Sequence, residues 1–215
     1  MKLVIISDTH NLHDKIDLPK GDILIHCGDA TNRGTLTELY KFTSWMKDQN
    51  FDQKIAIAGN HDHCFQNENA IKAKDIMKQF GIIYLQDSGI EINGLHIFGQ
   101  PWQPWFYDWS FNVPRGDEIA KKWTLIPDNT NILITHGPPY GILDLIEDDF
   151  SNRDLHQGCE ELKKKVDQLT QLKLHAFGHL HSNEQLIKLN KVNFVNAAIV
   201  DDNHKVIHKP TIIDL

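Results

Sequence analysis

Short aliphatic runs alternate with longer amphipathic ones along most of the chain. Lys2–Ser7, Asp22–Cys27, Lys54–Ala58, Leu95–Phe98, Asn131–Thr135 and Lys173–Phe177 are rich in Ile, Leu and Val and bounded by Gly, Asn or Asp. Runs of that length and composition predict strands. Between them, Thr35–Gln49 places Leu36, Leu39, Tyr40, Thr43 and Met46 at helical spacing; Asn67–Phe80, Gly116–Trp123 and Cys159–Leu169 are further helix candidates. This alternation predicts an α/β domain. From about Glu184 the pattern changes to close-set strands (Glu184–Leu189, Val192–Ala197, Lys205–His208, Thr211–Asp214), which predict a second sheet built of hairpins. Gln100–Pro114 holds three of the five Trp and three of the eight Pro and reads as a long aromatic loop rather than a domain boundary. With no internal repeat, low-complexity tract or linker, a single domain over residues 1–215 is expected.

A chain of 215 residues can bury a sizeable core without staples. Its 22 Lys and Arg against 29 Asp and Glu give a net charge of −7, which offers long nucleic acid or an anionic membrane little general attraction. A small phosphate ester held by local cations is compatible with that balance. Cys27, Cys64 and Cys159 cannot all pair and form no close metal-binding cluster, so a reduced, cytoplasmic compartment is expected. Leu3–Ile6 is too short for a signal-peptide core, and no stretch approaches a membrane span. What changes the picture is the histidine count of 13, and where those residues fall.

Asp8-Thr9-His10, Gly28-Asp29, Gly59-Asn60-His61-Asp62, His136-Gly137 and Gly178-His179-Leu180-His181 each follow a predicted strand. Ligands of α/β sheets bind at that carboxyl edge, where loops converge. Side chains two apart on an extended segment point the same way, so Asp8 with His10, and His179 with His181, can each reach into one site, while Asn60 and His61 point apart and should differ in role. Gly28, Gly59, Gly137 and Gly178 permit the tight backbone that turns a ligand inward. Two carboxylates, one carboxamide and four imidazoles are too many ligands for one cation and suit two cations sharing a carboxylate. Oxygen and nitrogen donors without thiolate favour Mn, Fe, Zn or Mg. Each motif alone is commonly a loop or cap; their joint occurrence at strand ends carries the reading. His26, His96 and His175 lie within strands and read as packed, whereas His13, His156, His204 and His208 read as surface and His63 as a non-ligand.

In this order the motifs resemble the calcineurin-like metallophosphoesterase superfamily over Asp8–His181. A closer resemblance, to the metallophosphoesterase-domain-containing proteins of animals and their bacterial relatives, rests on Gly21-Asp22-Ile23-Leu24, Ile57-Ala58-Gly59-Asn60-His61, Pro101-Trp102-Gln103-Pro104-Trp105-Phe106 and Thr135-His136-Gly137-Pro138-Pro139. The resemblance implies a four-layer α-β-β-α sandwich with two central mixed sheets. It also implies one cation held by Asp8, His10, Asp29 and His181 and a second held by Asp29, Asn60, His136 and His179, with manganese favoured in vitro. Such a pair acidifies a bridging water and clamps the phosphoryl oxygens.

An alkoxide leaving group needs a proton, and His61 is the candidate general acid, with Asp62 as its orienting partner; the rival reading is that His61 only supports the metal site. Arg33 stands four after Asp29, where phosphatases of this superfamily place a phosphate-binding Arg, although Asn32 replaces the acid usual in protein phosphatases. With only Arg33, Arg115 and Arg153 in the chain, a diester monoanion is a better match than a monoester dianion. The aromatic loop, Trp102 and Trp105 first, reads equally as a platform for a nucleobase or as a packed lid. The expectation is a dinuclear phosphodiesterase of small, including cyclic, nucleotides, acting as a monomer or homodimer. A phosphomonoesterase or protein phosphatase, and a non-catalytic metal-binding scaffold, are the alternatives.

Overall fold

A computed structural model describes residues 1–148, 153–181 and 185–215. In chain order the strands are β1 (Lys2–Ile6), β2 (Ile23–His26), β3 (Gln53–Ala56), β4 (Ile83–Tyr84), β5 (Ser88–Ile92), β6 (Leu95–Gln100), β7 (Gln103–Pro104) and β8 (Asn112–Val113). They continue as β9 (Ile132–Thr135), β10 (Leu145–Asp148), β11 (Arg153–His156), β12 (Leu174–Phe177), β13 (Leu186–Leu189), β14 (Val192–Asn196) and β15 (Thr211–Asp214). The helices are α1 (Leu36–Asp48), α2 (Ala70–Gln79), α3 (Asp117–Trp123) and α4 (Glu160–Gln168). No helix among the described residues is long and apolar enough to cross a membrane.

Two sheets form the centre, in the orders β15-β1-β2-β3-β4 and β13-β14-β12-β9-β6-β5. Alternate residues explain the layering. Leu3, Ile5, Ile23, Ile25 and Ile55 from the first sheet meet Ile97, Ile132, Ile134, Leu174, Ala176 and Val195 from the second in one core between the sheets. Val4, Ile6, Leu24 and Ala56 face the other way, onto Leu39, Phe42 and Met46 of α1 and Ala73, Ile76 and Met77 of α2. Phe98, Leu133, Phe177 and Phe194 likewise face Ile119 and Trp123 of α3 and Leu162 and Val166 of α4. Strands covered on both faces need continuous apolar runs, which is why they are visible in the sequence. The result is the α-β-β-α sandwich implied by the resemblance.

β1, β2, β3 and β4 are mutually parallel, as are β6, β9, β12 and β14. Their carboxyl ends therefore share a rim. The tail departs from expectation. Among the described residues of the tail, β13 and β14 alone make a hairpin, and it extends the second sheet; β15 returns to the first sheet, antiparallel to β1. There it buries Ile213 in the inter-sheet core and covers what would otherwise be an open edge. Lys205–His208 is not a strand and contributes a single bridge, Val200 to Val206. Glu184, the first residue of the predicted Glu184–Leu189 strand, lies outside the described residues.

Candidate metal centre

The strand ladders continue past the strand ends and carry the ligands. Asp8 N–H donates to Gly28 O at 2.9 Å, His10 N–H to Asp29 O at 3.1 Å, and Gly178 N–H to His136 O at 2.8 Å. The two halves of the chain then meet: His179 N–H donates to Asp8 Oδ2 at 2.9 Å, although 171 positions separate them. Across the rim, His136 Nε2 lies 2.9 Å from Asn60 Oδ1 and 3.4 Å from Asp29 Oδ2, which also lies 3.8 Å from His10 Nε2. His181 Nε2 is 3.4 Å from Asp8 Oδ1. Asp8, His10 and His181, and separately Asp8, Asp29 and His136, can each bring one donor atom within 4.8 Å of the others. The structure thus gathers all seven residues predicted to hold cations: Asp8, His10, Asp29, Asn60, His136, His179 and His181.

How they converge differs from the extended-segment argument. Asp8, His10, Asp29 and His179 all adopt positive φ, at 53°, 41°, 56° and 71°. Left-handed backbone, not strand alternation, swings these side chains inward. For non-glycine residues such conformations cost of order 1–3 kcal/mol each, a strain that concentrates at functional sites. Glycine is required for a different reason at Gly59 and Gly178, where a Cβ would lie 2.2 Å from Asp29 Oδ1 and 2.1 Å from Asp8 Oδ2, respectively.

The donor set suits cations. Asp8 and Asp29 are buried, and among the described residues neither forms an ion pair with Lys or Arg. Asp8 Oδ1 and both ring nitrogens of His10 are buried without a hydrogen-bond partner among the described residues, which is costly unless something else satisfies them. Burial works against ionisation of Asp29, but His136 outweighs it and holds the carboxyl well below its ordinary range. Burial likewise opposes the charged form of His136, and Asp29 wins, raising the imidazole to about 9. Burial pushes His10 down to about 4 and His179 to about 3, so both are neutral and ready to donate lone pairs. His136 Nδ1 sits 3.0 Å from Cys27 O, a contact that requires a proton on Nδ1 and leaves Nε2 toward the centre.

The remaining predicted residues divide. His61 Nδ1 lies 2.9 Å from Asn32 O and so must donate to it, freeing Nε2. Its ring stands edge-on to His10 with centroids 4.7 Å apart. Asp62 is not the partner of that ring. It accepts from Gly59 N at 2.9 Å, Ala30 N at 3.3 Å, Thr31 N at 3.0 Å and Thr31 Oγ1 at 2.7 Å, binding the Asp29 and Asn60 loops together. Arg33 is exposed beside Asn32, and its guanidinium forms no ion pair among the described residues. Trp102 does not face the histidines: Nε1 donates to Asp87 Oδ1 at 2.7 Å, Lys122 Nζ lies 3.5 Å over its ring, and Phe111 packs against it. Trp105 is 57% exposed.

The aromatic residue at the centre is Trp109, with its ring centroid 4.2 Å from that of His61. Pairing of β7 with β8 closes the segment into a loop, and Ser110 N–H donates to Asn60 O at 3.3 Å, which together bring Trp109 there. Nothing local distinguishes Trp109 from Trp102 in sequence. One histidine expected at the surface differs: His13 is buried against Phe42 and Trp45, whereas His204 is exposed as expected, with one face of its ring stacked on His10. His26 and His175 are buried as expected, paired with Thr9 Oγ1 at 3.1 Å and Thr135 Oγ1 at 2.9 Å.

The calcineurin-like phosphoesterase family model matches residues 1–183. Metallophosphoesterase domain-containing protein 1 of Homo sapiens is 38% identical over 237 aligned residues, covering all of this chain and 71% of that protein; its Mus musculus counterpart matches equally. Among solved structures, TT1561 of Thermus thermophilus superposes with a TM-score of 0.61 at 12% identity, covering 91% of this chain and 88% of that one. Another reaches 0.68 at 14% identity, over 91% and 89%. At such identities these two establish similarity of fold.

Proposed function

The chain belongs to the calcineurin-like phosphoesterase family, whose metal-dependent phosphoester hydrolysis is the premise from which we propose a phosphodiesterase of small nucleotide diesters, cyclic ones included. The observation that carries the diester preference is the shortage of fixed cations around the centre among the described side chains, which do not include that of Arg153. Arg115 is committed elsewhere, to Glu160 Oε2 at 2.6 Å and to the carbonyls of Gly158 and Gln157 at 2.8 and 2.9 Å. Arg33 is the arginine placed beside the His61 partner Asn32. A single guanidinium matches a monoanionic diester better than a dianionic monoester.

Asp8, His10, Asp29 and His181 would hold one cation, and Asp29, Asn60, His136 and His179 the other. When bound, such a pair supplies an activated water and neutralises phosphoryl charge. The protein groups do the rest. His61, with Nδ1 bound to the Asn32 carbonyl, presents Nε2 as the atom that delivers a proton to the departing oxygen. Trp109 against the His61 ring limits its rotation and keeps that nitrogen aimed. The exposed rings of Trp105 and Phe106, the latter 6.1 Å from the His179 ring, offer faces on which a base can stack.

His61→Asn tests the acid role. Hydrolysis of nucleoside or alkyl diesters should fall by about 10² to 10⁴, the usual contribution of a positioned acid, with a far smaller loss on nitrophenyl diesters, whose leaving group departs unaided. Equal losses on both, with reduced metal content, would assign His61 to supporting the metal site. A substrate panel tests the diester preference: turnover of phosphomonoesters without turnover of cyclic nucleotides overturns it.

A further inference from the structure

Because β14 runs parallel to β12, the segment that follows it leaves the sheet at the same rim as the metal-ligand loops. A bridge between Ala198 and Ser7, and Ile199 N–H donating to Ser7 O at 3.0 Å, seat that segment beside the Asp8 loop. The chain then reverses over residues 201–205. Asp201 Oδ1 accepts from Asn203 N at 3.0 Å and Lys205 N at 2.8 Å, Asp201 N–H donates to Lys205 O at 2.9 Å, and His204 N–H donates to Asp201 O at 2.9 Å. An Asp side chain bonded to backbone two and four residues on makes a firm turn.

Two side chains of this turn reach the ligands. The His204 ring lies face to face with that of His10, centroids 4.6 Å apart and planes inclined by 12°, with the His181 ring 6.3 Å away. Asp202 Oδ1 lies 3.5 Å from His181 Nδ1, so the His181 imidazole stands between Asp202 and Asp8. Both interactions fall on the Asp8–His10–His181 half of the centre.

We infer that the Asp202–His204 turn positions the ligands of one cation site, through a carboxylate behind His181 and a ring laid over His10. The turn lies beyond residue 183, where the family match ends. The inference rests on the metal-binding reading of the seven ligands and is independent of substrate. A ligating imidazole whose second N–H goes to a carboxylate has its tautomer and orientation fixed and is a better donor. With Nδ1 of His181 turned to Asp202, Nε2 keeps its lone pair toward the cation that Asp8 also meets. The His204 ring covers the face of His10, whose nitrogens accept or donate no hydrogen bond among the described residues, and resists its rotation.

The test uses the full chain, stripped of metal and titrated with Mn²⁺ against a chromophoric chelator, with diester hydrolysis followed in parallel. Asp202→Asn should weaken one of two sites by about 10-fold, the low end of the usual effect because this carboxylate is exposed and 3.5 Å from the ring, and leave the other unchanged. Activity should return at saturating Mn²⁺, and Asp202→Glu should recover part of the affinity. His204→Ala should weaken the same site, and His204→Phe, which keeps a stacking ring, should not. Unchanged affinity in Asp202→Asn and His204→Ala overturns the inference, as does an equal fall at both sites with a lowered Tm. His204→Phe as weak as His204→Ala transfers the role to the ring nitrogens and overturns the covering role. A wild-type chain that fails to bind two cations would instead refute the metal-centre reading itself.

Discussion

Alanine at position 59 would place its Cβ 2.2 Å from Asp29 Oδ1, 2.6 Å from the Asp29 backbone nitrogen and 2.6 Å from His136 Cε1. Ordinary contact begins near 3.4 Å, so the carboxylate or its loop must retreat by about 1.2 Å. It cannot do so freely, because Asp29 Oδ1 also accepts from His61 N at 2.8 Å and both neighbours are buried. A misplacement near 1 Å costs about 10² in rate where geometry is catalytic, and functional ligands tolerate only about 0.5 Å. Gly59→Ala should therefore lower diester hydrolysis by about 100-fold and leave fewer than two cations per chain, with native circular dichroism. Gly137 is the matched control. It follows a ligand in a similar motif, yet a Cβ there meets only Gln103 Cβ at 3.8 Å and His179 Cδ2 at 4.0 Å. Gly137→Ala should keep activity within about threefold of wild type. Metal content by elemental analysis and initial rates decide the matter. A Gly59→Ala protein with two cations and near-normal rates would refute the idea that Asp29 is held by contact.

Loading metal at pH 7.5 should release between about one and two protons per chain, measured by calorimetry in buffers of different ionisation enthalpy. His136, raised from 6.5 to about 9, carries a proton on Nε2 below that pH and must lose it to a cation; His181, which Asp8 holds above its ordinary value against burial, adds a further part, whereas His10 at about 4 and His179 at about 3 release none. Apparent affinity accordingly rises with pH up to about 9, and the absence of any buffer dependence would count against this account. Asp62→Asn should destabilise the chain by about 1–3 kcal/mol in a denaturant titration, because an amide turns its NH₂ toward donors that now converge on a carboxylate. Wild-type stability in that variant would show the loops do not depend on those bonds.

Legibility followed the physics of each element. β1, β2, β9 and β12 were plain because burial on both faces demands unbroken aliphatic runs. α1 was plain because its start is written locally, Thr35 accepting from Glu38 N while Glu38 accepts from Thr35 N. β5 is not legible in the sequence because Gly89 and Glu91 interrupt it and it lies half-exposed at a sheet edge. The seven candidate metal ligands can be picked out because chemistry restricts their types and the rim restricts their place. Trp109 and His204 could not, since each acts on a ring that is distant in sequence.

The sequence by itself determined which segments become strands and helices, and which residues stand at strand ends with donor atoms to offer. Those are properties of side-chain type and local spacing. Only the tertiary structure decided that Asp8, His10, Asp29 and His179 turn left-handed, that Asp62 ties loops rather than steering His61, and that the tail reaches back over His10. Each depends on two sheets packing face to face, which sets distances between residues far apart in the chain, and local spacing carries no record of such distances.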